Sequence, residues 1–545
     1  MSYVTSAPIF SQPSDDFADH SSYPTSLVSI IESSNSGEGV IHCRGERLVE
    51  GISTWSTIAP FTERLLRLSG IGQLRQQVTI GTLPDDVLLK VFKFFVDATY
   101  VGYFVSEKWR TLVHVCRRWR IVAFASPRHL NLKLLCGPRK RSAKKAQDIW
   151  PELPIYIHDR NSGYPMKETR DNVAAALRLN HRVAEIRLEH ISDSEWKTLV
   201  PLMQHPFPIL TDLWLALYNK NPISCSFLGG SAPSLRDLFL EGVSFPALPE
   251  LLLSTTNLVC LSYTLIPRSG YISTRAMVTS LSALTRLESL SITFMSRQSL
   301  PDRTIRIPPH TRTLLPALTY LEYDGGPEYV RDLVAQIDAP LLESMEITLS
   351  HLDFPEVSEL AKFVHRADKL SLLSRTKVNY QPNCISLSLS PERLVRIVDN
   401  KTLLLNIRCH KSALRLSCLA QFCASSLPTL SLFESLHIHV SINVIWKDAM
   451  EDSDNEWLKL LRLFNNAKDL HLCNAVAPHV SQALRELQVE RVMEVLPALE
   501  NIFILGLKPS GPVKEAISEF ADARRLAGHP VSICDWKGGM YSVRG

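Results

Sequence analysis

Two segments of the chain share one apolar pattern: Pro208-Ile-Leu-Thr-Asp-Leu-Trp-Leu215 and Pro233-Ser-Leu-Arg-Asp-Leu-Phe-Leu240. In each, apolar residues follow the order Φ-x-x-Φ-x-Φ, beginning at Leu210 and Leu235. The final alternation predicts a short strand whose apolar side chains share one face. The pattern recurs twelve times, at Val183, Leu210, Leu235, Leu258, Leu287, Leu318, Leu342, Ala367, Thr402, Phe433, Ala467 and Leu499.

The spacing of these copies overlaps the roughly 20–29 residues of a leucine-rich repeat and extends past that range. The shortest interval, Leu235 to Leu258, is 23 residues, and the longest, Ala367 to Thr402, is 35. One copy cannot bury its own apolar face, whereas stacked neighbours share a continuous core. We therefore predict an irregular α/β solenoid. A large α/β domain with a conventional parallel sheet would explain the strands but not the repeated register.

The prediction is weakest over 367–432, where two copies are degraded. The copy Ala367/Leu370/Leu372 begins with a small residue, and Thr402/Leu405/Ile407 begins with a polar one.

Composition excludes several classes of protein. Lysine and arginine number 59 against 55 aspartate and glutamate residues, so a net charge of +4 offers no strong basic field for nucleic acid or membrane. The eleven cysteines are irregularly spaced and predict reduced thiols in the cytoplasm or nucleus. Met1–Phe10 lacks the features of a secretory signal, and no apolar run is long enough to span a membrane.

The N-terminal part is expected to be less regular. Residues 1–39 are rich in serine and proline and predict a disordered tail. Residues 40–79 are uncertain and partly helical. The basic segment Pro138-Arg-Lys-Arg-Ser-Ala-Lys-Lys145 fits either a solvated linker or a nuclear localisation signal.

A helix is predicted from Thr82 to Phe95. Pro84 suits a first helical turn, and the acidic pair after it favours the positive end of the helix dipole. A single apolar stripe follows at helical spacing. A second helix is predicted over 106–124, with Trp109 and Trp119 on its apolar face.

Residues Leu83 to Leu130 resemble an F-box. The matching residues are Leu83-Pro-Asp-Asp-Val-Leu88, Val91-Phe92, Leu112, Val115-Cys-Arg-Arg-Trp-Arg120 and Ser126-Pro127. Asp86 stands where many F-boxes have glutamate, and the gap between the two halves is slightly longer than usual. Further on, Leu130–Leu135, Trp150–Ile155, the repeats and Leu526–Pro530 resemble fungal F-box proteins with repeat tails.

This resemblance implies a helical module that binds a Skp-type adaptor and, through it, a cullin. By position in the motif, the candidate adaptor contacts are Leu83, Pro84, Val87, Leu88, Val91, Val115 and Trp119. The alternative is that apolar residues such as Val87, Val91 and Trp119 simply form the core of the helical unit.

The strands also predict a surface for a target protein. Residues flanking the last apolar position of each copy should point outward, and most of these are expected to be merely solvated. The candidates for target binding are Trp214, Phe239, Glu241, Glu322, Asp324 and His437. His437 and His471 share a register, as do His439 and Cys473, but we interpret this alignment as coincidence and expect no metal site.

We expect no catalytic residues and no cofactor, because nucleotide-binding, metalloprotease and hydrolase motifs are absent. The sequence therefore predicts an α+β multi-domain chain: a tail over 1–39, an uncertain segment over 40–79, the F-box over 80–130, a linker or capping segment over 131–180, and the leucine-rich-repeat-like solenoid over 181–545. The leading function is a substrate-recruiting subunit of a Skp-cullin-F-box ubiquitin ligase. The alternatives are a scaffold outside ubiquitination and an enzyme with an incidental F-box.

Overall fold

A computed structural model describes most of the chain from residue 80 onward. The described residues are 80–97, 109–127, 129–137, 153–160, 167–189, 191–217, 222–295, 311–350, 358–370, 375–381, 384–390, 402–408, 412–426, 433–440, 454–487 and 489–536. The predicted tail over 1–39, the segment 40–79 and the basic segment 138–145 lie outside these residues.

The chain divides into two compact units, 1–83 and 84–545. Of the first unit only the last four residues are described, and they comprise the short 3-10 turn Ile80–Thr82 and the buried side chain of Leu83. Every element below belongs to the second unit.

The second unit is built on one long, mostly parallel sheet. Sixteen described strands form it in the order β1-β2-β3-β4-β5-β6-β7-β9-β11-β14-β13-β12-β15-β16-β17-β18, while β8 and β10 form a separate parallel pair. The strands are β1 Leu134–Cys136, β2 Ile155–Arg160, β3 Val183–Glu189, β4 Asp212–Ala216, β5 Asp237–Glu241, β6 Cys260–Ile266, β7 Ser289–Phe294, β8 Thr313–Leu314, β9 Tyr320–Gly325, β10 Ile337–Asp338, β11 Ser344–Ser350, β12 Arg375–Tyr380, β13 Cys384–Ser390, β14 Leu403–Arg408, β15 Ser435–Val440, β16 Asp469–Leu472, β17 Asn501–Leu505 and β18 Ser532–Trp536.

Helices precede the sheet and alternate with its strands. They are α1 Asp85–Asp97, α2 Trp109–Val115, α3 Arg117–Ala125, α4 Lys167–Leu177, α5 Asp193–Leu199, α6 Leu248–Leu252, α7 Thr274–Leu281, α8 Pro327–Gln336, α9 Ser358–Arg366, α10 Ser412–Ser426, α11 Asp454–Leu461, α12 Ala477–Arg485 and α13 Pro512–Leu526. This alternation is consistent with the predicted leucine-rich-repeat α/β solenoid. The strand order follows the chain over most of the sheet, unlike a conventional α/β domain whose order reverses about its first strand.

The apolar positions of the repeat form the core. Leu213, Leu238, Leu261 and Leu290 occupy successive register positions on β4 to β7, and each is at most 1% exposed. The joints between copies also repeat. The carbonyl of Thr211, just before β4, accepts the backbone N–H groups of Arg236 and Asp237 at the start of β5. The carbonyls of Arg236, Val259, Glu288 and Thr319 each accept the equivalent pair of N–H groups from the next strand of the sheet. These hydrogen bonds set the register of each strand relative to the next one.

The sheet starts earlier than the repeat pattern predicts. Residues 131–180, predicted as a linker or capping segment, contribute β1 and β2, which pair in parallel with each other and with β3. Ile155 and Ile157 are almost fully buried, so the core extends into this segment.

The degraded region 367–432 departs from the repeat. Ala367 and Leu370 lie after α9 and not on a strand, so the predicted copy beginning at Ala367 is wrong; Leu372 lies outside the described residues. The sheet instead contains β12 and β13, joined as an antiparallel pair, and β13 is also antiparallel to β14. The chain therefore places β14, not β12, beside β11.

The segment predicted as one helix over 106–124 is two. Cys116 has extended backbone angles (φ −155°, ψ 170°), and its sulfur accepts the backbone N–H of Trp119, so it caps α3 and ends α2. Trp109 of α2 is buried, and its Nε1 donates to the carbonyl of Lys133 at 3.0 Å. This bond attaches α2 to the residue that directly precedes β1.

A buried tyrosine offers a test of how the turns are held. The hydroxyl of Tyr263 accepts the N–H of Phe245 at 3.2 Å and lies 3.0 Å from the carbonyl of Gly270. We expect Tyr263→Phe to lower the free energy of unfolding by about 1–3 kcal/mol, because it leaves a buried N–H without an acceptor. Urea denaturation measures this. Thr279→Ala, which removes an exposed hydroxyl, should change stability by less than about 0.5 kcal/mol; equal effects would contradict the role of the tyrosine.

Candidate functional site

The candidate adaptor contacts divide into buried and accessible side chains. Leu83, Leu88, Val91 and Trp119 are buried, the last two at 7% and 3% exposure. Pro84 is exposed, and Val87 and Val115 are half-buried. Of the seven candidate adaptor contacts, only Pro84, Val87 and Val115 are therefore accessible to a partner in this conformation.

The buried members of the helical unit pack against one another. The rings of Phe92 on α1 and Trp119 on α3 lie 4.7 Å apart between centroids, at 55°. Arg118 of α3 donates to Asp85 of α1 at 2.7 Å, but both side chains are largely exposed, so this ion pair adds little stability. The apolar packing holds these helices together.

Two exposed apolar residues of the helices were not predicted. Phe94 on α1 is 49% exposed, and Ile121 on α3 is 59% exposed. Phe94 follows Val87 by seven residues, nearly two helical turns, so both lie on one face of α1. The seven-residue spacing of Val87 and Phe94 could have indicated this exposed face from the sequence. It was not noticed because the buried residues of the same helix form a longer apolar stripe.

The candidate target contacts all lie on the outward face of the sheet, in rows defined by the strand register. The middle row comprises, in sheet order, His158, Arg187, Trp214, Phe239, Ser262, Ser291, Glu322, Glu346, Leu404, Ser388, Lys377, His437, His471, Phe503 and Cys534. Four candidates therefore share one row: Trp214, Phe239, Glu322 and His437. Glu241 and Asp324 lie two residues further along their strands, in what we call the rear row.

Trp214 and Phe239 are in direct contact. Their rings stack with centroids 3.7 Å apart and planes at 20°, and both residues are half-buried. On the β3 side, the guanidinium of Arg187 lies 5.8 Å from the Trp214 ring centroid and also pairs with Glu185 at 2.5 Å. One end of the aromatic stack is thus occupied by a cation from the chain itself.

Carboxylates line the front row, two residues before the middle row on each strand. Glu185, Asp212 and Asp237 lie on successive strands in register. Burial raises the pKa of Asp212, and the charges of its two acidic neighbours raise it further. Burial and a hydrogen bond to Asp237 raise the pKa of Cys260, the next residue of the row, to about 12.

A second acidic group surrounds Glu322. Ser291 donates to its carboxylate at 2.7 Å, and Glu346 is its register partner on β11. Burial and the charges of Glu322 and Asp324 raise the pKa of Glu346. Asp324 is bridged at 2.7 and 2.9 Å by Arg408, which reaches across β11 from β14.

His437 lies nine strands from Trp214, in a different environment. Its ring stacks on that of His471 with centroids 4.1 Å apart, and His471 stacks in turn on Phe503 at 4.5 Å. Burial, together with the neighbouring His471, His439, Arg375 and Lys377, lowers the pKa of His437 to about 3. The stack is therefore made of neutral imidazoles.

The same influences act on the other two histidines. Burial, with Lys377 and His471, lowers the pKa of His439 to about 4. Burial also lowers the pKa of His471, although Asp469 opposes this. Within the described ranges, no group of three or more histidine, cysteine or acidic residues is arranged to hold a metal ion.

The histidine stack predicts a pH dependence of stability. Each folded pKa lies below the ordinary value near 6.5, so the unfolded chain binds more protons, and this stabilisation is full above about pH 6.5 and is lost as pH falls towards 4. We expect the fall in unfolding temperature between pH 7 and 4 to be smaller in His437→Gln/His471→Gln, by about 1 °C for each kcal/mol of linkage removed, since the unfolding entropy grows with the length of the unit. Calorimetry measures this. The exposed His181→Gln is the control, and identical pH profiles in both variants would contradict the prediction.

Among the described residues, the helices include none that combines the length and apolar character needed to cross a bilayer.

Comparison with known proteins adds one structural likeness. No protein-family model matches the chain, and no curated protein matches it. Among solved structures, it is similar to the leucine-rich repeat-containing protein LegL7 from Legionella pneumophila, with 15% sequence identity and a TM-score of 0.25; the match covers 62% of this chain and 96% of that one. At this TM-score the likeness does not define the fold, which is given by the strand order and register of the sheet.

Proposed function

We propose that the chain recruits a target protein to a Skp-cullin-F-box ubiquitin ligase. In this proposal α1 to α3 form the F-box and bind a Skp-type adaptor, while the outward face of the sheet binds the target. The chain does no catalysis itself. It raises the effective concentration of target lysines near the ubiquitin-charged enzyme.

The observation that carries the proposal is the apolar outer face of α1. Val87 is half-buried and Phe94 is 49% exposed on a short helix whose buried Phe92 packs against Trp119 of α3. Pro84, also exposed, precedes this face. Exposed apolar side chains grouped on a small helical unit favour a protein partner. They occur in the segment that resembles an F-box, where that family binds its adaptor.

The position of the helices supports the division of labour. The bond from Trp109 to the Lys133 carbonyl fixes the helices at the β1 edge of the sheet. Trp214 and Phe239 follow three and four strands further along the sheet. An adaptor on α1 and a target on the outward face could therefore be held by one continuous framework.

The second candidate is a scaffold that binds the adaptor outside ubiquitination. The same exposed face of α1 favours it equally, because that face concerns the adaptor and not the cullin.

Retrieval of partners by the full chain tests the proposal. We expect the unchanged chain to retrieve both the adaptor and a cullin, and Val87→Glu/Phe94→Glu to lose both by about tenfold or more, because buried charge at an apolar contact costs at least about 1.4 kcal/mol. Lys93→Glu is the matched control. It alters the net charge by the same amount, but lies about 120° from Val87 around the helix.

Both variants should remain folded, as judged by a cooperative unfolding transition, because neither Val87 nor Phe94 is fully buried and Lys93 is exposed. Adaptor without cullin would contradict the ligase role and favour the scaffold. Retrieval of neither partner by the unchanged chain would contradict both functions. Equal loss in Lys93→Glu would show that the apolar face of α1 is not the docking surface.

A further inference from the structure

In the middle row, two small side chains follow the aromatic stack of Trp214 and Phe239. Phe239 is followed by Ser262 on β6 and Ser291 on β7, and then by Glu322 on β9. We call the two small residues the serine step. It separates the backbones of Phe239 and Glu322 by three strand spacings, roughly 14 Å. The Glu322 carboxylate reaches back across one of these spacings to accept the hydroxyl of Ser291 at 2.7 Å, and Ser291 is only 5% exposed.

The two faces of the Phe239 ring differ in what lies beside them. Trp214 covers one face at 3.7 Å. The register neighbour on the other side is Ser262, whose side chain is too short to cover a phenyl ring. The far end of the same stack already has a guanidinium over it, that of Arg187 on Trp214. The end at Phe239 is suited to a second cation, because aromatic faces attract guanidinium groups.

Within the three register rows from β4 to β11, every charged side chain is acidic. From β4 to β11 the front, middle and rear rows contain the carboxylates of Asp212, Asp237, Glu241, Glu322, Asp324 and Glu346 and neither lysine nor arginine. The nearest cations on the flanking strands, Arg187 and Arg408, are engaged by Glu185 and Asp324.

This negative field is local. The chain as a whole has a net charge of +4, so the carboxylates do not reflect an acidic composition. The raised pKa values of Asp212 and Glu346, which burial and acidic neighbours cause, agree with an excess of negative charge on this face. A positively charged partner would relieve that repulsion.

We propose that this part of the sheet, from Trp214 to Glu346, binds a basic segment of the target protein, with an arginine side chain stacked on the face of Phe239 nearest Ser262. Asp237, Glu241 and Glu322 surround the guanidinium. Arginine suits this place better than lysine, since its planar group can both stack on a ring and bridge carboxylates. The inference depends on the proposed function only in calling this partner the ligase target.

Fluorescence anisotropy with the full chain tests the inference. The probes are labelled peptides of Gly-Arg-Ser, Gly-Lys-Ser and Gly-Glu-Ser repeats. We expect the arginine peptide to bind most tightly, the lysine peptide more weakly and the glutamate peptide not at all, with binding weakened by salt. Equal binding of the arginine and lysine peptides would overturn the stacking, and binding of the glutamate peptide, or of none, would overturn the basic partner.

Matched variants locate the site. Asp237→Asn/Glu241→Gln keeps side-chain size and removes two charges, and Trp214→Ala/Phe239→Ala removes the stack; each should weaken the arginine peptide about tenfold or more. Asp193→Asn/Glu250→Gln removes two exposed carboxylates from α5 and α6 and should leave binding unchanged. Should the alanine pair not fold, as judged by its unfolding temperature, the isosteric pair still decides: unchanged binding in that pair overturns the inference.

Failure here is distinguishable from failure of the proposed function. Retrieval of adaptor and cullin without peptide binding would reject only the basic partner. Peptide binding without retrieval of the adaptor would reject only the ligase role.

Discussion

The structure depends on one constraint, which is that every strand must keep the register of its neighbour. A shift by a single residue would turn Leu213 and Leu215, both at most 1% exposed, outward and bring Trp214 into the core. Pairs of backbone N–H groups that donate to the carbonyls of Thr211, Arg236 and Val259 hold that register between successive strands. The same constraint produces the surface. Because the register carries through the middle row on every strand, despite shifts near Ile155 and between Tyr263 and Ile266, side chains hundreds of positions apart share one row on the outward face.

This explains why part of the fold was predictable. The Φ-x-x-Φ-x-Φ pattern identifies the strands because burial selects apolar residues at those positions irrespective of what lies between them. It failed at Ala367, where α9 ends, and it missed β1 and β2, whose short strands lack the full pattern. Strand pairing over 375–408 was not predictable, since an antiparallel pair and a parallel pair both bury alternate residues. The alternation of apolar and polar residues in β12 and β13 does not indicate whether either strand runs parallel or antiparallel to its neighbours.

The candidate site was predictable to a similar extent. Register arithmetic aligned His437 with His471, and the structure places their rings 4.1 Å apart. The same reasoning applied to Trp214 and Phe239, although they were selected only as exposed aromatics. The sequence could not indicate that Arg408 would reach Asp324, because that ion pair depends on β14 lying next to β11. It also could not separate buried from accessible residues on α1, where Val91 and Val87 belong to the same apolar stripe.

The sheet order β11-β14-β13-β12 departs from the order of the chain, and cysteine cross-linking tests this arrangement directly. The account places Glu346 and Leu404 opposite each other on β11 and β14, so Glu346→Cys/Leu404→Cys should form a disulfide on mild oxidation, mapped by mass spectrometry. Glu346→Cys/Lys377→Cys should not, because two strands lie between β11 and β12. A cross-link between 346 and 377, with none between 346 and 404, would mean that the strands follow chain order and would contradict the sheet described here.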